Sequence, residues 1–173
     1  RDSADTALHL ADFRANERTF GLVAQVAGRA GRGERGGHVL VQTFAPQHFA
    51  LACAARHDFE GFADAELEER TAFGLPPARR CALLVLSGTE EGPSAEAMRS
   101  LSEVLKPVAS EHAVEMRGPA KAPIERLRGR WRWMVLLMSE SPTALAQVCL
   151  HARAAKIPRR FDLTIDVDPA AVL

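Results

Sequence analysis

The chain lacks an excess of charge of either sign: 22 Lys and Arg balance 22 Asp and Glu. The whole molecule therefore offers no bulk field, and any attraction to an anionic partner must come from a local patch. Cysteine is scarce. Cys53, Cys81 and Cys149 stand alone, with no C-x-x-C spacing, which excludes a zinc ribbon and a disulfide framework. They read as small buried residues in a reducing cytoplasm. The six histidines (9, 38, 48, 57, 112 and 151) show no H-x-x-x-H pairing, so no metal site is expected. No apolar run approaches the ~20 residues that span a bilayer. The polar start Arg1-Asp2-Ser3-Ala4-Asp5 shows none of the features of a signal peptide; it reads like the middle of a longer protein, and a fragment is expected. Internal repeats and low-complexity tracts are missing too. So are a G-x-x-x-x-G-K-[ST] loop and a D-E-x-H-type carboxylate pair, which excludes binding of Mg-ATP by this chain alone.

What is present suits a globular protein of one large or two small domains, with 173 residues of which 47% are apolar. The zero net charge hides an asymmetry. Residues 1–75 carry 8 basic against 11 acidic side chains, and residues 76–173 carry 14 against 11. Between Arg117 and Arg132 there are six basic residues and one acid, Glu125, a patch that can attract a phosphate backbone.

Asp12 is placed to cap a helix over 13–29 whose stripe is Phe13, Phe20, Val23 and Ala27. Gly31 and Gly33 stop it. Residues 38–43 read as a short strand, 48–56 as a helix, and 57–73 as a helix with Asp58, Glu60, Asp64, Glu66, Glu68 and Glu69 outward and Phe59, Phe62, Ala65 and Leu67 inward. Gly74-Leu75-Pro76-Pro77 ends it and sets the boundary between domains 1–75 and 76–173. The second half reads as strand 81–87, helix 93–110 (core face Ala97, Leu101, Val104, Leu105, Val108), strand 114–117, strand 130–139, helix 142–156 and strand 161–167. That order, β-α-β-β-α-β, is the split arrangement of a ferredoxin-like sandwich, in which an antiparallel sheet keeps one face free for a partner.

Two segments carry candidate chemistry. Gln25-Val26-Ala27-Gly28-Arg29-Ala30-Gly31-Arg32 places two arginines three positions apart between small residues. Guanidinium forks bind phosphate oxygens bidentately, and glycines permit close approach. The same residues also suit a glycine-capped helix end with solvated arginines. In the second segment Arg126, Arg128, Arg130 and Arg132 alternate with Trp131 and Trp133. Arginines reach phosphates, and Trp faces stack on unpaired bases. Both strand faces turn apolar beyond Trp133, so at least one tryptophan also reads as core with the arginines at its rim.

Q-x-x-G-R-x-G-R resembles motif VI of superfamily 2 helicases. Together with D-F-R-A-x-E-R before it, R-x-R-W-R-W at 128–133 and D-V-D-P at 166–169, nearly the whole chain resembles the C-terminal part of the primosomal protein N′ (PriA) family of bacterial replication-restart helicases. The resemblance implies α/β plus α+β architecture: the C-terminal portion of a RecA-like lobe in 1–75, then a small antiparallel-sheet DNA-binding domain. It implies that Arg32 is the arginine finger, that Arg29 joins it in catalysis, and that Gln25 and Gly28 complete the nucleotide-facing motif. It implies DNA contacts at Arg126, Arg128, Arg130, Trp131 and Arg132. ATP and Mg would act in the full-length protein, and the family's zinc ligands are not on this chain.

The partners implied are forked or single-stranded DNA, single-stranded DNA-binding protein, and primosome and helicase-loading proteins, in the bacterial cytoplasm and nucleoid without a membrane. One departure stands out. Family members bind the tail of single-stranded DNA-binding protein partly through a basic residue near the start of the last helix, where this chain has Ser141-Pro142-Thr143-Ala144-Leu145. Arg153, Lys156, Arg159 and Arg160 lie nearby and either substitute or are simply solvated. Asp166 and Asp168 read as turn caps without catalysis. The competing class is a non-enzymatic DNA-binding scaffold, a degenerate member without ATPase; a RecG-like motor ranks below it. Residues 1–75 are expected to fold poorly alone, through an unpaired sheet edge.

Overall fold

The computed structural model describes residues 13–30 and 37–169. Its contacts divide the chain into two compact units, Phe13–Phe73 and the residues from Gly74 onward.

The first unit is helical: α1 (Ala15–Ala30), α2 (Phe49–Ala55) and α3 (Phe59–Ala72). Its core is small. Phe20 of α1 stacks on Phe62 of α3 with ring centroids 4.3 Å apart, and Ala50 and Ala54 of α2 are fully buried beside them. The helix expected over 57–73 starts later, because His57 takes a positive φ of 55°. Asp58 then caps α3, its Oδ1 accepting from Gly61 N at 2.9 Å.

The buried stripe of α3 is not the expected one. It is Phe62, Glu66 and Arg70, spaced four apart, while Phe59 and Leu67 are exposed. Glu66 belongs inside because Arg70 pairs with it at 2.6 Å. The same guanidinium donates to Phe13 O at 3.0 Å and pairs with Glu17 at 2.9 Å. Asn16 donates to Glu66 at 3.0 Å. This network pins the start of α1 to α3, and a buried charge is tolerable only when it is so fully paired.

The strand expected over 38–43 does not form. Those residues are exposed and irregular, and none pairs with another strand among the described residues. A β-branched run becomes a strand only with a ladder partner.

The second unit has the order β1 (Arg80–Gly88), α4 (Glu91–Glu111), β2 (Glu115–Leu127), β3 (Arg130–Ser139), α5 (Pro142–Ala154) and β4 (Asp162–Val167). The expected β-α-β-β-α-β order and antiparallel sheet are there, with strands arranged β2-β3-β1-β4. Ala82, Leu84, Leu86, Val135 and Leu137 face α4 and α5 and form the core with Met98, Leu101, Leu105, Leu145 and Val148. α5 is launched by Ser141, whose Oγ accepts from Ala144 N at 3.2 Å, with Pro142 at the start.

Three expectations need correction here. Val104 is 62% exposed. Ser94 and Ser102 are buried in the face of α4 that Val104 was expected to share, because each hydroxyl donates to its own helix, Ser94 to Glu90 O and Ser102 to Met98 O. β2 runs to Leu127, far beyond 117, through two register shifts at Arg117/Ala120 and Lys121/Arg126. Gly118-Pro119 reads as a strand end, but an edge strand absorbs a residue without a ladder donor at a bulge. Finally, the sheet face away from the helices is not free along its length. Cys81, Leu83, Met134, Leu136 and Met138 alternate onto it and are buried. It opens toward the β2–β3 hairpin end and along β4, where Thr164 and Asp166 are exposed on it.

Candidate nucleic-acid interface

The hairpin tip is built by its turn. Leu127 pairs with Arg130, and the two residues between, Arg128 and Gly129, have φ of 50° and 79°. Positive φ at both central positions is what a type I′ hairpin turn requires, and glycine supplies it at the second. Arg128 accepts the strained region, so the tip carries a cation where a plainer turn would carry Asn.

Strand alternation does the rest. Arg128, Arg130 and Arg132 line one concavity of about 360 Å³, together with Leu83, Val85 and Thr164. Asp166 lies on the same wall. Arg126 and Trp131 go elsewhere: they are cross-strand partners, on the face opposite to Arg130 and Arg132. The five residues expected to form one DNA-binding set thus occupy two faces of one hairpin.

The cations are not equally available. Arg130 pairs with Asp162 at 2.8 Å and donates to Ser87 O at 2.9 Å and Arg160 O at 3.3 Å. It clamps β3 to β1 and to the chain entering β4. Arg132 donates to Ile124 O at 3.4 Å. Arg117 is taken by Glu115 at 2.6 Å. Burial opposes the Glu115 carboxylate, but hydrogen bonds from Arg79 and Arg117 outweigh it and hold its pKa below the ordinary value. Among the described residues no carboxylate pairs with Arg126 or Arg128. Arg126 lies over the Trp131 ring, which leaves Arg128, exposed at the turn, as the cation of the set with neither a carboxylate nor a ring contact among the described residues.

Trp131 lies under two cations, with Arg126 5.5 Å and Lys121 5.7 Å from its ring centre. Lys121 also bridges Glu91 at 2.8 Å and Glu125 at 3.0 Å; hydrogen bonds to these two raise its pKa. A base stacking on Trp131 must share or displace those cations. Trp133 packs against the core cluster, which makes it the core tryptophan. Lys121, counted in the basic run but not among the expected DNA contacts, joins Arg126 over the Trp131 ring, and cross-strand placement rather than motif spacing brings it there.

At the opposite end of the sheet, Asp168 pairs with Arg80 and lies near Cys81 N. The Arg80 hydrogen bond, against some burial, lowers the Asp168 pKa. This ion pair fastens the end of β4 to β1, while Asp166 sits exposed within β4 on the wall of the concavity; the turn-cap role expected of both is replaced by these two.

The octapeptide is only partly in view. Arg32 and Gly31 lie outside the described residues. Gln25, Val26, Gly28 and Arg29 lie in the last turns of α1 and are all exposed. Gln25 and Arg29 are four apart and share a helix face. A side chain at Gly28 would meet nothing within 4 Å, so this chain's own packing does not require glycine there. Arg29, in the last turn, complements the helix dipole. Among the described residues no three His, Cys, Asp or Glu side chains gather as a metal ion would need. No described helix is long and apolar enough to cross a membrane.

Residues 71–170 match the family model described as the primosomal protein N C-terminal domain. The chain is 33% identical over 171 residues to replication restart protein PriA of Bacillus subtilis, covering 96% of this chain and 21% of that protein. It is 34% identical to the protein of the same name from Synechocystis, covering 98% of this chain and 20% of the relative. For Treponema pallidum the identity is 36%, over 98% of this chain and 26% of the relative. The chain thus spans between about a fifth and a quarter of the length of the relatives it matches. From the hairpin arginines, the β-α-β-β-α-β sheet and these matches together, the chain belongs to the PriA family and corresponds to its C-terminal part.

Proposed function

We propose that this chain is the C-terminal segment of an ATP-dependent 3′-to-5′ DNA helicase that recognises stalled or branched forks and restarts replication through primosome assembly. In this reading the sheet unit is the DNA-contacting part. The observation that carries it is the gathering of Arg128, Arg130 and Arg132 around one concavity at the hairpin tip. Arg126 and Lys121 extend the positive surface over the far side of the same hairpin. Phosphates bind the tip, and bases reach Trp131 only where the strand is unpaired.

Gln25, Gly28, Arg29 and Arg32 form half of an ATP site. The exposed face carrying Gln25 and Arg29 supports this, since among the described residues no carboxylate pairs with Arg29 and a guanidinium binds a polyphosphate best when it is not already neutralised. The P-loop and Mg-binding carboxylates would come from another lobe, so this chain alone turns over no ATP. When two lobes close on ATP, Arg32 meets the γ-phosphate and closure becomes dependent on the nucleotide. Single-stranded DNA-binding protein and helicase-loading proteins are the remaining proposed partners. The described residues gather no set of three ligands for zinc: Cys53 lies in the helical unit and Cys81 and Cys149 in the sheet unit.

The test is the affinity of the chain for forked DNA against salt concentration. Arg128→Ala should weaken binding several-fold and flatten the log–log slope by about 0.7–0.9, the loss of one phosphate contact. An unchanged slope removes the hairpin from the interface. An ATPase assay on the longer parent with forked DNA separates the motor from the scaffold reading.

A further inference from the structure

A second feature of the sheet unit has no part in the hairpin interface. A groove of about 570 Å³ lies between α4 and the turn that follows α5, with Ala97, Val104, Ile157 and Pro158 among its walls and Lys156 and Arg160 at its rim. Val104 is exposed into it rather than buried in the core. From 141 to 161 the sequence contains no Asp or Glu, but has Arg153, Lys156, Arg159 and Arg160. All four are exposed. No ion pair engages Arg153, Lys156 or Arg159 among the described residues, and the Arg160 guanidinium lies 4.9 Å from the Phe161 ring centre. Glu96 also lines the groove, but Arg99 neutralises it.

An apolar trough with unneutralised cations at its mouth suits a flat apolar group joined to an anion. A nucleotide has that form. An acidic peptide would satisfy the charge as well, but position favours nucleic acid: Arg130 donates to Arg160 O at 3.3 Å, so the mouth of the groove adjoins the turn end of the hairpin. We propose that this groove is a subsite for an unpaired nucleotide, its phosphates held by Lys156, Arg159 and Arg160 and continuous with those on the hairpin. The inference rests on the hairpin reading and adds a selection. A base in a duplex cannot be lowered onto Val104 and Ile157, so the groove favours single strands.

The test uses the 173-residue chain, a fluorescein-labelled oligothymidylate of roughly 20 nucleotides and a duplex of equal length, with anisotropy read from low to moderate salt. The triple variant Lys156→Ala, Arg159→Ala, Arg160→Ala should weaken oligothymidylate binding about tenfold and flatten its log–log slope by about 2, at ~0.7 per phosphate on single strands. Val104→Glu should weaken it about fivefold and leave the duplex within about twofold, since only the single strand enters the trough. These side chains are exposed, so unchanged thermal melts should accompany both results. If both variants bind oligothymidylate like the parent while Arg128→Ala weakens it, the groove is overturned and the hairpin reading stands. If the unaltered chain fails to bind, both fall together. Equal losses on single strand and duplex overturn the nucleotide subsite. So does loss of polyglutamate binding with oligothymidylate binding intact, which would assign the patch to an acidic protein.

Discussion

Leu84, Leu86, Leu105 and Leu137 of the sheet unit are wholly buried, whereas Leu22, Leu40, Phe44, Phe59 and Phe73 of the helical unit are exposed. Both regions contain large apolar residues at regular spacings. They differ in what covers them. The four-stranded sheet offers a face on which α4 and α5 close a core, while three helices around Phe20 and Phe62 cover only one side of each. The candidate chemistry follows the same division. The hairpin arginines have a complete scaffold behind them, and Gln25 and Arg29 stand on an exposed helix face, which in the proposed reading meets its ligand together with another surface.

The largest expected effect separates the two regions by function. In the longer parent, Arg32→Ala should lower DNA-stimulated ATP turnover by about 10³-fold or more while DNA affinity stays nearly unchanged. Unaltered turnover would remove the nucleotide role from the helical half, and a matching fall in DNA affinity would erase the division of labour.

Stability gives the next contrast. Leu84→Ala should cost the sheet unit about 2–5 kcal/mol through the cavity it leaves. Arg70→Ala should cost the helical unit about 3 kcal/mol, because Glu66 would be left buried without its partner. Hydrogen exchange resolved by segment would locate each loss; the comparison breaks if either substitution loosens both units equally.

The smallest effect is electrostatic. Glu115 and Asp168 have folded pKa values below their ordinary ones. Their contribution is present above the unfolded pKa of about 4 and fades as pH falls through the lower folded values. At neutral pH, Asp168→Asn should lower the urea midpoint of the sheet unit slightly. The difference should shrink as pH falls through the lowered folded pKa, and a difference independent of pH would assign Asp168 a role other than its ion pair with Arg80.

The sheet unit was legible because its local signals agree. The apolar run at 81–87, the periodic helix after Pro93 and the Ser141-Pro142 start all point to the same elements. The helical unit was less so. Period 3.6 cannot tell that Glu66 is inside, since its partner Arg70 lies one turn away and its other contacts, Asn16 and Glu17 through Arg70, are some fifty residues distant. Residues 38–43 failed for the opposite reason: their pattern was right for a strand, and no partner is present among the described residues.

The sequence by itself determined the family, the element order of the second unit and the presence of a concentrated basic segment, because motif spacing and periodicity are written locally. Only the tertiary structure decided that Arg128, Arg130 and Arg132 share a concavity while Arg126 and Lys121 cover Trp131. It also decided that Arg130 serves as a clamp and that Val104 opens into a groove. Those outcomes depend on strand alternation, β2 bulges and ion pairs between distant residues, and none of these can be computed from neighbours along the chain.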